Sequence, residues 1–347
     1  MKKIVKVIVF NLLMILVILA LLEGIMYTLV HQPKILKHCP KNIRDSIGYL
    51  YAFGERRVIQ FTPDCARHDP DLGYTLKPGT CVFSANEFSN RYKVNHQGLR
   101  DDEKSLQKPD IIVVGDSYAM GWGVNQEETF AQVLEKKSGL SVLNAAIASY
   151  GTAREMIMLG RLETGRLKYL VIQYCENDFD ENREFLLKGN RLHTMSQEEY
   201  RRYTELNLQP KDYYLGKYLA MKLEKKWKGF RKPKEKKQAV VTDKDDVDLF
   251  INAIMNGPVD LSKVQIIVLE ALGKDDFDRT FIRRLNERAS QGNYPPYIKN
   301  MITLDITKII TRDHYYVLDD HWTEEGHEAI GDSLWKIVHS SDRAGGG

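Results

Sequence analysis

The sequence predicts an α/β protein: a doubly wound parallel sheet with helices on both faces, preceded by one N-terminal transmembrane helix. Two observations carry this expectation. From about residue 109 to 340, short apolar runs bounded by turn residues alternate with segments of helical periodicity, the pattern of βαβ units whose strands are covered on both faces. Ahead of them, the first thirty residues hold an almost unbroken apolar stretch, long enough to cross a bilayer.

In chain order, the strand signals are DIIVV at 110–114, LSVLNAAIAS at 140–149, LKYLVIQY at 167–174, VQIIVLEAL at 264–272 and MITLDIT at 301–307. Helical spacing of apolar residues marks EETFAQVLEKK (127–137), TAREMIMLGRLE (152–163), FDRTFIRRLNERAS (277–290) and the closing HEAIGDSLWKIV (327–338). The interval between the third and fourth strands is much longer than a crossover needs, so an insertion is expected at about 185–260. It contains KLEKKWKGFRKPKEKK (222–237), with nine Lys or Arg and two Glu. Such a run reads either as a solvated surface or as a contact for anionic lipid or an anionic polymer. Residues 31–108 are rich in turn formers and lack long periodic stretches. They read as a membrane-proximal extension packed on the main domain at 109–340.

Composition narrows the function classes. The chain has 347 residues with 50 Lys plus Arg against 47 Asp plus Glu, a net charge of +3, which lacks the basic excess of a general nucleic-acid binder. Hydrophobic residues make up 43%, enough for a sizeable core and unlike a disordered or disulfide-dense chain. The apolar stretch from Ile4 to Val30 is interrupted by Lys6, Asn11 and Glu23. As a helix it would span ~40 Å against ~30 Å of hydrocarbon. No small-x-small cleavage site precedes Val30, which favours an uncleaved signal anchor (1–30) over a cleaved signal peptide. Both place the remainder outside the cytoplasm. The expected location is the inner (cytoplasmic) membrane, single-pass, with the domain at 109–340 facing the periplasm or the outside. Lys2, Lys3 and Lys6 precede the span and Lys34 and Lys37 follow it, so charge gives only a weak orientation signal. Among the four cysteines, Cys65 and Cys81 flank a turn-rich segment that would let a disulfide close. No Cys or His cluster has zinc spacing, and no metal or cofactor is expected.

In open α/β sheets, ligands bind beyond the carboxyl ends of the strands. There the sequence places Gly115-Asp116-Ser117 after the first strand, Asn144 to Thr152 after the second, Cys175-Glu176-Asn177-Asp178 after the third, and Asp319-Asp320-His321-Trp322 near the end. In this order the four blocks resemble those of the SGNH (GDSL-like) hydrolase superfamily, membrane-anchored bacterial type, over about two-thirds of the chain. The resemblance implies a nucleophile at Ser117 and an oxyanion hole from Ser117, Ser149 and Asn177, with Ser149 standing where the family has Gly. It also implies a base at His321. The usual D-x-x-H spacing falls on Leu318, so Asp319, as in a D-x-H variant, or Asp320 orients the histidine. Cys175 replaces the Gly of the third block. His314 and His327 compete with His321, and His327 also reads as the start of the closing helix. Asp116 and Asp178 read as structural, and Trp322 as either pocket lining or packing.

Chemistry supports the same roles. A serine hydroxyl needs a base within hydrogen-bond reach, and that base needs an orienting acid. The expected function is extracytoplasmic serine ester hydrolysis on an acylated small molecule or glycan, with O-acetyl groups of cell-envelope glycans as one class. The alternatives are an O-acyltransferase of a surface polysaccharide, a lipase, and a non-catalytic SGNH-like glycan-binding module.

Overall fold

The computed structural model describes residues 2–231, 245–274, 277 and 280–345. Along the chain, α1 (Lys2–His31) and α2 (Lys41–Gly54) lead into two antiparallel hairpins, β1–β2 (Ala66–Asp69, Gly73–Leu76) and β3–β4 (Gly79–Ser84, Ser89–Val94). The α/β part follows: β5 (Ile111–Val114), α3 (Ser117–Met120), α4 (Phe130–Ser138), β6 (Val142–Asn144), α5 (Thr152–Leu159), β7 (Tyr169–Tyr174) and α6 (Asp178–Leu187). Then come α7 (Gln197–Leu208), α8 (Lys217–Arg231), α9 (Asp246–Met255), β8 (Gln265–Glu270), α10 (Phe281–Gln291), β9 (Ile302–Leu304) and α11 (Glu324–Gly345).

Strands β5 to β9 form one parallel sheet in the order β6-β5-β7-β8-β9. Side chains alternate across a strand, and β5 shows the result. Ile111 and Val113 pack with Phe130 and Leu134 of α4 and Ile330 and Leu334 of α11, while Ile112 and Val114 pack with Met156 of α5, Phe250 of α9 and Phe281 of α10. The sheet is therefore covered on both faces, which explains why β5 is apolar at every position.

Two predicted strands are shorter than their apolar runs. In 140–149 only Val142–Asn144 pairs with β5. Asn144 is the last residue of β6, its side chain donating to the Ala119 carbonyl at 3.0 Å and accepting from the Ala146 N–H at 3.2 Å, while the Ile147 N–H still donates to the Gly115 carbonyl at 3.1 Å. Ala145 to Ala148 are buried as loop. In 301–307 only Ile302–Leu304 pairs.

Residues 31–108 hold more regular structure than their turn-rich sequence predicts, because α2 has a true apolar face. Ile47, Leu50 and Tyr51 of α2 form a cluster with Leu29 and Val30 of α1, Tyr218 of α8 and Leu318. A Cys65–Cys81 disulfide ties the start of the first hairpin to the second. Within 185–260, α9 packs into the core, with Val247, Phe250 and Ile254 against the sheet. Residues 232–237 of the basic run lie outside the described residues. Helix α1 is long and apolar enough to cross a membrane, and of its residues only Glu23, Leu29 and Val30 are buried.

Candidate active site

The turn that carries Ser117 is built by a glycine and a glutamine. A Cβ at Gly115 would stand 2.7 Å from both the Ala119 Cβ and the Gln173 Oε1, so only glycine lets β5 turn this sharply into α3. Gln173, fully buried in β7, accepts from the backbone N–H groups of Asp116 and Ala119, both at 3.1 Å. Asp116 caps α3 by accepting from the Tyr118 N–H at 3.0 Å, and its burial raises its pKa. Ser117 follows at the first position of that short helix, partly exposed. The fully buried Arg100 holds the turn from the other side, donating to the carbonyls of Met120 at 3.1 Å and Val124 at 2.6 Å.

Opposite Ser117 stands the loop that precedes α11. His321 Nε2 lies 2.7 Å from Ser117 Oγ, and His321 Nδ1 is hydrogen-bonded to Asp319 Oδ1. Because Nδ1 faces a carboxylate it carries the proton, leaving Nε2 to accept from the serine hydroxyl. Asp320 is mostly exposed and its oxygen is 3.5 Å from Nδ1, so the geometry resolves the two acids in favour of Asp319. The Asp319 side chain is fully buried. Its Oδ2 accepts from Trp122 Nε1 at 3.2 Å and Tyr51 Oη at 3.4 Å, with Arg56 Nη1 at 3.7 Å.

Charge follows from this arrangement. Burial alone would raise the pKa of Asp319, but the His321 ring outweighs it, with Arg56 and Trp122 adding to the effect, and holds the carboxyl well below the ordinary range. Burial likewise opposes charging His321, yet the Asp319 carboxylate prevails and raises the imidazole above its usual value. Trp122 stacks on the His321 ring at 5.1 Å and Tyr118 covers it at 4.7 Å. Asp319, Asp320 and His321 also bring three ligand atoms within 4.8 Å of one another. Arg56 lies 3.7 and 3.4 Å from the two carboxylates and already supplies the positive charge a cation would bring.

The sheet order places the remaining predicted residues. Strand β5 lies between β6 and β7, so the loops carrying Ser149 and Asn177 flank the Ser117 turn. Both residues are exposed. Ser149 has φ +60°, the left-handed region that favours glycine, which is the backbone reason a glycine suits this position. Its hydroxyl accepts from Gln60 Nε2 at 3.0 Å. Asp178 is buried and accepts from Thr152 Oγ1 at 2.7 Å, tying these two loops together.

The competing histidines fall elsewhere. His327 is buried in α11, accepts from the Phe130 N–H at 3.2 Å, and is pushed down to about 3 by burial, so it stays neutral. His314 accepts from the Thr311 N–H at 2.9 Å. Trp322 is fully buried against Tyr118 and Phe130 and packs beneath the loop. Cys175 is free and half-buried, its thiol pushed up by burial.

Sequence reasoning missed Tyr51, Arg56, Glu87 and Arg100, all from the extension, and Trp122, Gln173 and Lys274 from the main domain. Glu87 accepts from the N–H groups of Val317, Leu318 and Asp319 at 2.8, 2.8 and 2.9 Å. Lys274 donates to the carbonyls of Val317 at 2.7 Å and Asp319 at 3.2 Å. Only Gln173 carried a usable signal, as the one amide in the otherwise apolar or aromatic strand YLVIQY.

No family model matches the chain, and no curated protein matches it by sequence. Solved structures similar to it include a protein from Desulfitobacterium hafniense DCB-2 described as of the G-D-S-L lipolytic family. It has 12% identity and a TM-score of 0.36, covering 65% of this chain and 98% of the other. A carbohydrate esterase family 2 enzyme with a carbohydrate-binding domain from Corynascus thermopiles (Myceliophthora fergusii) shows 14% identity and a TM-score of 0.35, covering 67% and 66%. The lipase Lip_vut3 from a goat rumen metagenome shows 15% identity and a TM-score of 0.32, covering 65% and 94%. At such distances the functional reading rests on the atoms of the site itself.

Proposed function

We propose that this chain is a membrane-anchored serine esterase of the SGNH type whose catalytic residues are Ser117, His321 and Asp319. The observation that carries the reading is the contact of Ser117 Oγ with His321 Nε2 at 2.7 Å, with Asp319 bonded to the other ring nitrogen. Nε2 takes the hydroxyl proton as Oγ attacks the ester carbonyl. The Ser117 and Ser149 N–H groups and the Asn177 amide then receive the oxyanion, each such donor supplying ~3–4 kcal/mol in comparable sites. Nε2 returns the proton to the leaving alkoxide. The acyl-serine is then opened by water, whose proton passes to Nε2 and on to Oγ, regenerating the enzyme and releasing the acid.

The site is proposed to face the periplasm or exterior. A disulfide at Cys65–Cys81 suits an oxidising compartment, and Glu23, Leu29 and Val30 of α1 are packed into the folded domain, as fits an uncleaved anchor. Ester-linked acyl groups, O-acetyl groups of envelope glycans among them, are the proposed substrates. The test uses the full chain in detergent with p-nitrophenyl acetate and a fluorophosphonate probe. Wild type is expected to hydrolyse the ester and take the label, and Ser117→Ala to do neither. Equal rates for the two proteins would remove Ser117 as the nucleophile.

A further inference from the structure

We propose that α8 is a second membrane contact, lying in the lipid interface beside the end of α1 and fixing how the catalytic domain sits on the bilayer. The proposal rests on α1 being a membrane span. From Ile4 to Glu23, α1 runs for twenty residues, which is ~30 Å of helix and matches the hydrocarbon thickness. Glu23 is the only acid of the span and it is 1% exposed. Its carboxylate accepts from the backbone N–H groups of Tyr218 at 3.0 Å and Leu219 at 2.9 Å. These belong to the first turn of α8, whose N–H groups have no partner within their own helix. The acid and the helix start therefore satisfy each other at the depth where the hydrocarbon ends.

The residues around this junction have the chemistry of a lipid–water boundary. Tyr27 of α1 stacks on His31 at 4.2 Å and meets Tyr213 at 4.5 Å, and Tyr214 is 61% exposed. Aromatic rings concentrate at such boundaries because one end is apolar and the other polar. Along α8, Leu219, Leu223 and Trp227 recur every fourth residue and so share a face. Leu223 is 69% and Trp227 59% exposed. The other side of the helix turns toward the domain: Met221 joins the α1–α2 cluster, Lys222 donates to the Ser46 carbonyl at 3.2 Å and Lys225 sits 3.7 Å over the Tyr49 ring. Lys226 is exposed beside the apolar stripe, where its long stem lets the ammonium group reach the headgroups, while Lys228, further round the helix, pairs with Glu224 at 2.6 Å. Lipid is the occupant that matches an apolar stripe edged by a lysine and continuous with a membrane span.

The experiment places the full-length chain in phosphatidylcholine–phosphatidylglycerol vesicles whose phosphatidylcholine carries bromine near the glycerol end of its acyl chains. The emission difference between wild type and Trp227→Phe isolates Trp227 from Trp122, Trp322 and Trp335. An interfacial helix buries its apolar face ~5–10 Å into the boundary, so the bromines should remove about half or more of the Trp227 emission. Unquenched Trp227 in protein that resists carbonate extraction overturns the proposal while leaving the anchor intact. Crosslinking of a Leu223→Cys variant to its own copy in those vesicles also overturns it, by assigning the stripe to a dimer. Release of the whole protein by carbonate shows instead that the anchor reading has failed, and the second contact falls with it.

Discussion

Asp319 divides its two oxygens between two tasks. Oδ1 meets the His321 ring, and Oδ2 takes the Trp122 N–H and the Tyr51 hydroxyl with Arg56 close behind. An amide in its place would favour the wrong imidazole tautomer. Asp319→Asn is therefore expected to lower kcat by about ten-thousand-fold, while Asp320→Asn stays near wild type in the same assay. As the proposed base, His321 must be neutral to accept a proton, and its ion pair with Asp319 raises its pKa. The rate should thus rise with pH through an apparent value above the ordinary ~6.5 of histidine, measured as kcat/KM against pH. Stability runs the other way. A raised native pKa contributes stability that is fully present below the unfolded value of ~6.5 and is lost as pH climbs through the native one. At the oxyanion site the two flanking residues should differ. If Asn177 donates through its side chain and Ser149 through its backbone, as proposed, Asn177→Ala is expected to cost ~100- to 1000-fold in kcat, whereas Ser149→Ala should cost little because the backbone N–H remains.

The loop from Val317 to His321 owes its shape to groups on other elements. Glu87, in the turn between β3 and β4, collects three successive N–H groups of that loop, and Lys274, beyond β8, collects two of its carbonyls. A glutamine at 87 offers only one accepting oxygen and no charge. Glu87→Gln should therefore lose ~1–3 kcal/mol of stability and lower kcat without abolishing fluorophosphonate labelling. A thermal melt and a labelling time course check the two parts. The turn carrying Ser117 is more self-contained, since Gly115 and Asp116 directly follow β5 and Gln173 lies on the neighbouring strand β7.

At the scale of the whole molecule, the end of α1 is part of the fold. Leu29 and Val30 of α1 share a cluster with Tyr51 and Leu318, which adjoin Asp319 in space and in sequence. Removing residues 1–30 strips two buried apolar side chains worth ~1.5–3 kcal/mol each. It also uncovers the wall behind the acid. A fragment starting at His31 should melt lower and hydrolyse p-nitrophenyl acetate more slowly than one starting at Leu22, which keeps Glu23, Leu29 and Val30. Melting curves and rates of the two fragments in the same detergent compare them directly.

The strand–helix alternation, the membrane-length helix and the blocks holding Ser117, Ser149, Asn177 and His321 were all legible along the chain. Apolar periodicity is local, and residues that follow a strand stay at its end whatever the rest of the fold does. The limits of β6 were not legible, because the path of the chain after Asn144 is tied by that side chain to the Ala119 carbonyl of α3, a separate segment. The choice of Asp319 over Asp320 was likewise beyond the sequence. Two adjacent carboxylates are equivalent as letters, and only the packing buries one against the imidazole and leaves the other in solvent. The contributions of Tyr51, Arg56, Glu87 and Arg100 depend on long-range contacts with no spacing rule. Tyr51 reaches its partner across 268 positions. Sequence alone determined which candidate groups the chain carries and roughly where; tertiary structure decided which neighbours charge, orient and hold them, because burial and distance are properties of the folded chain.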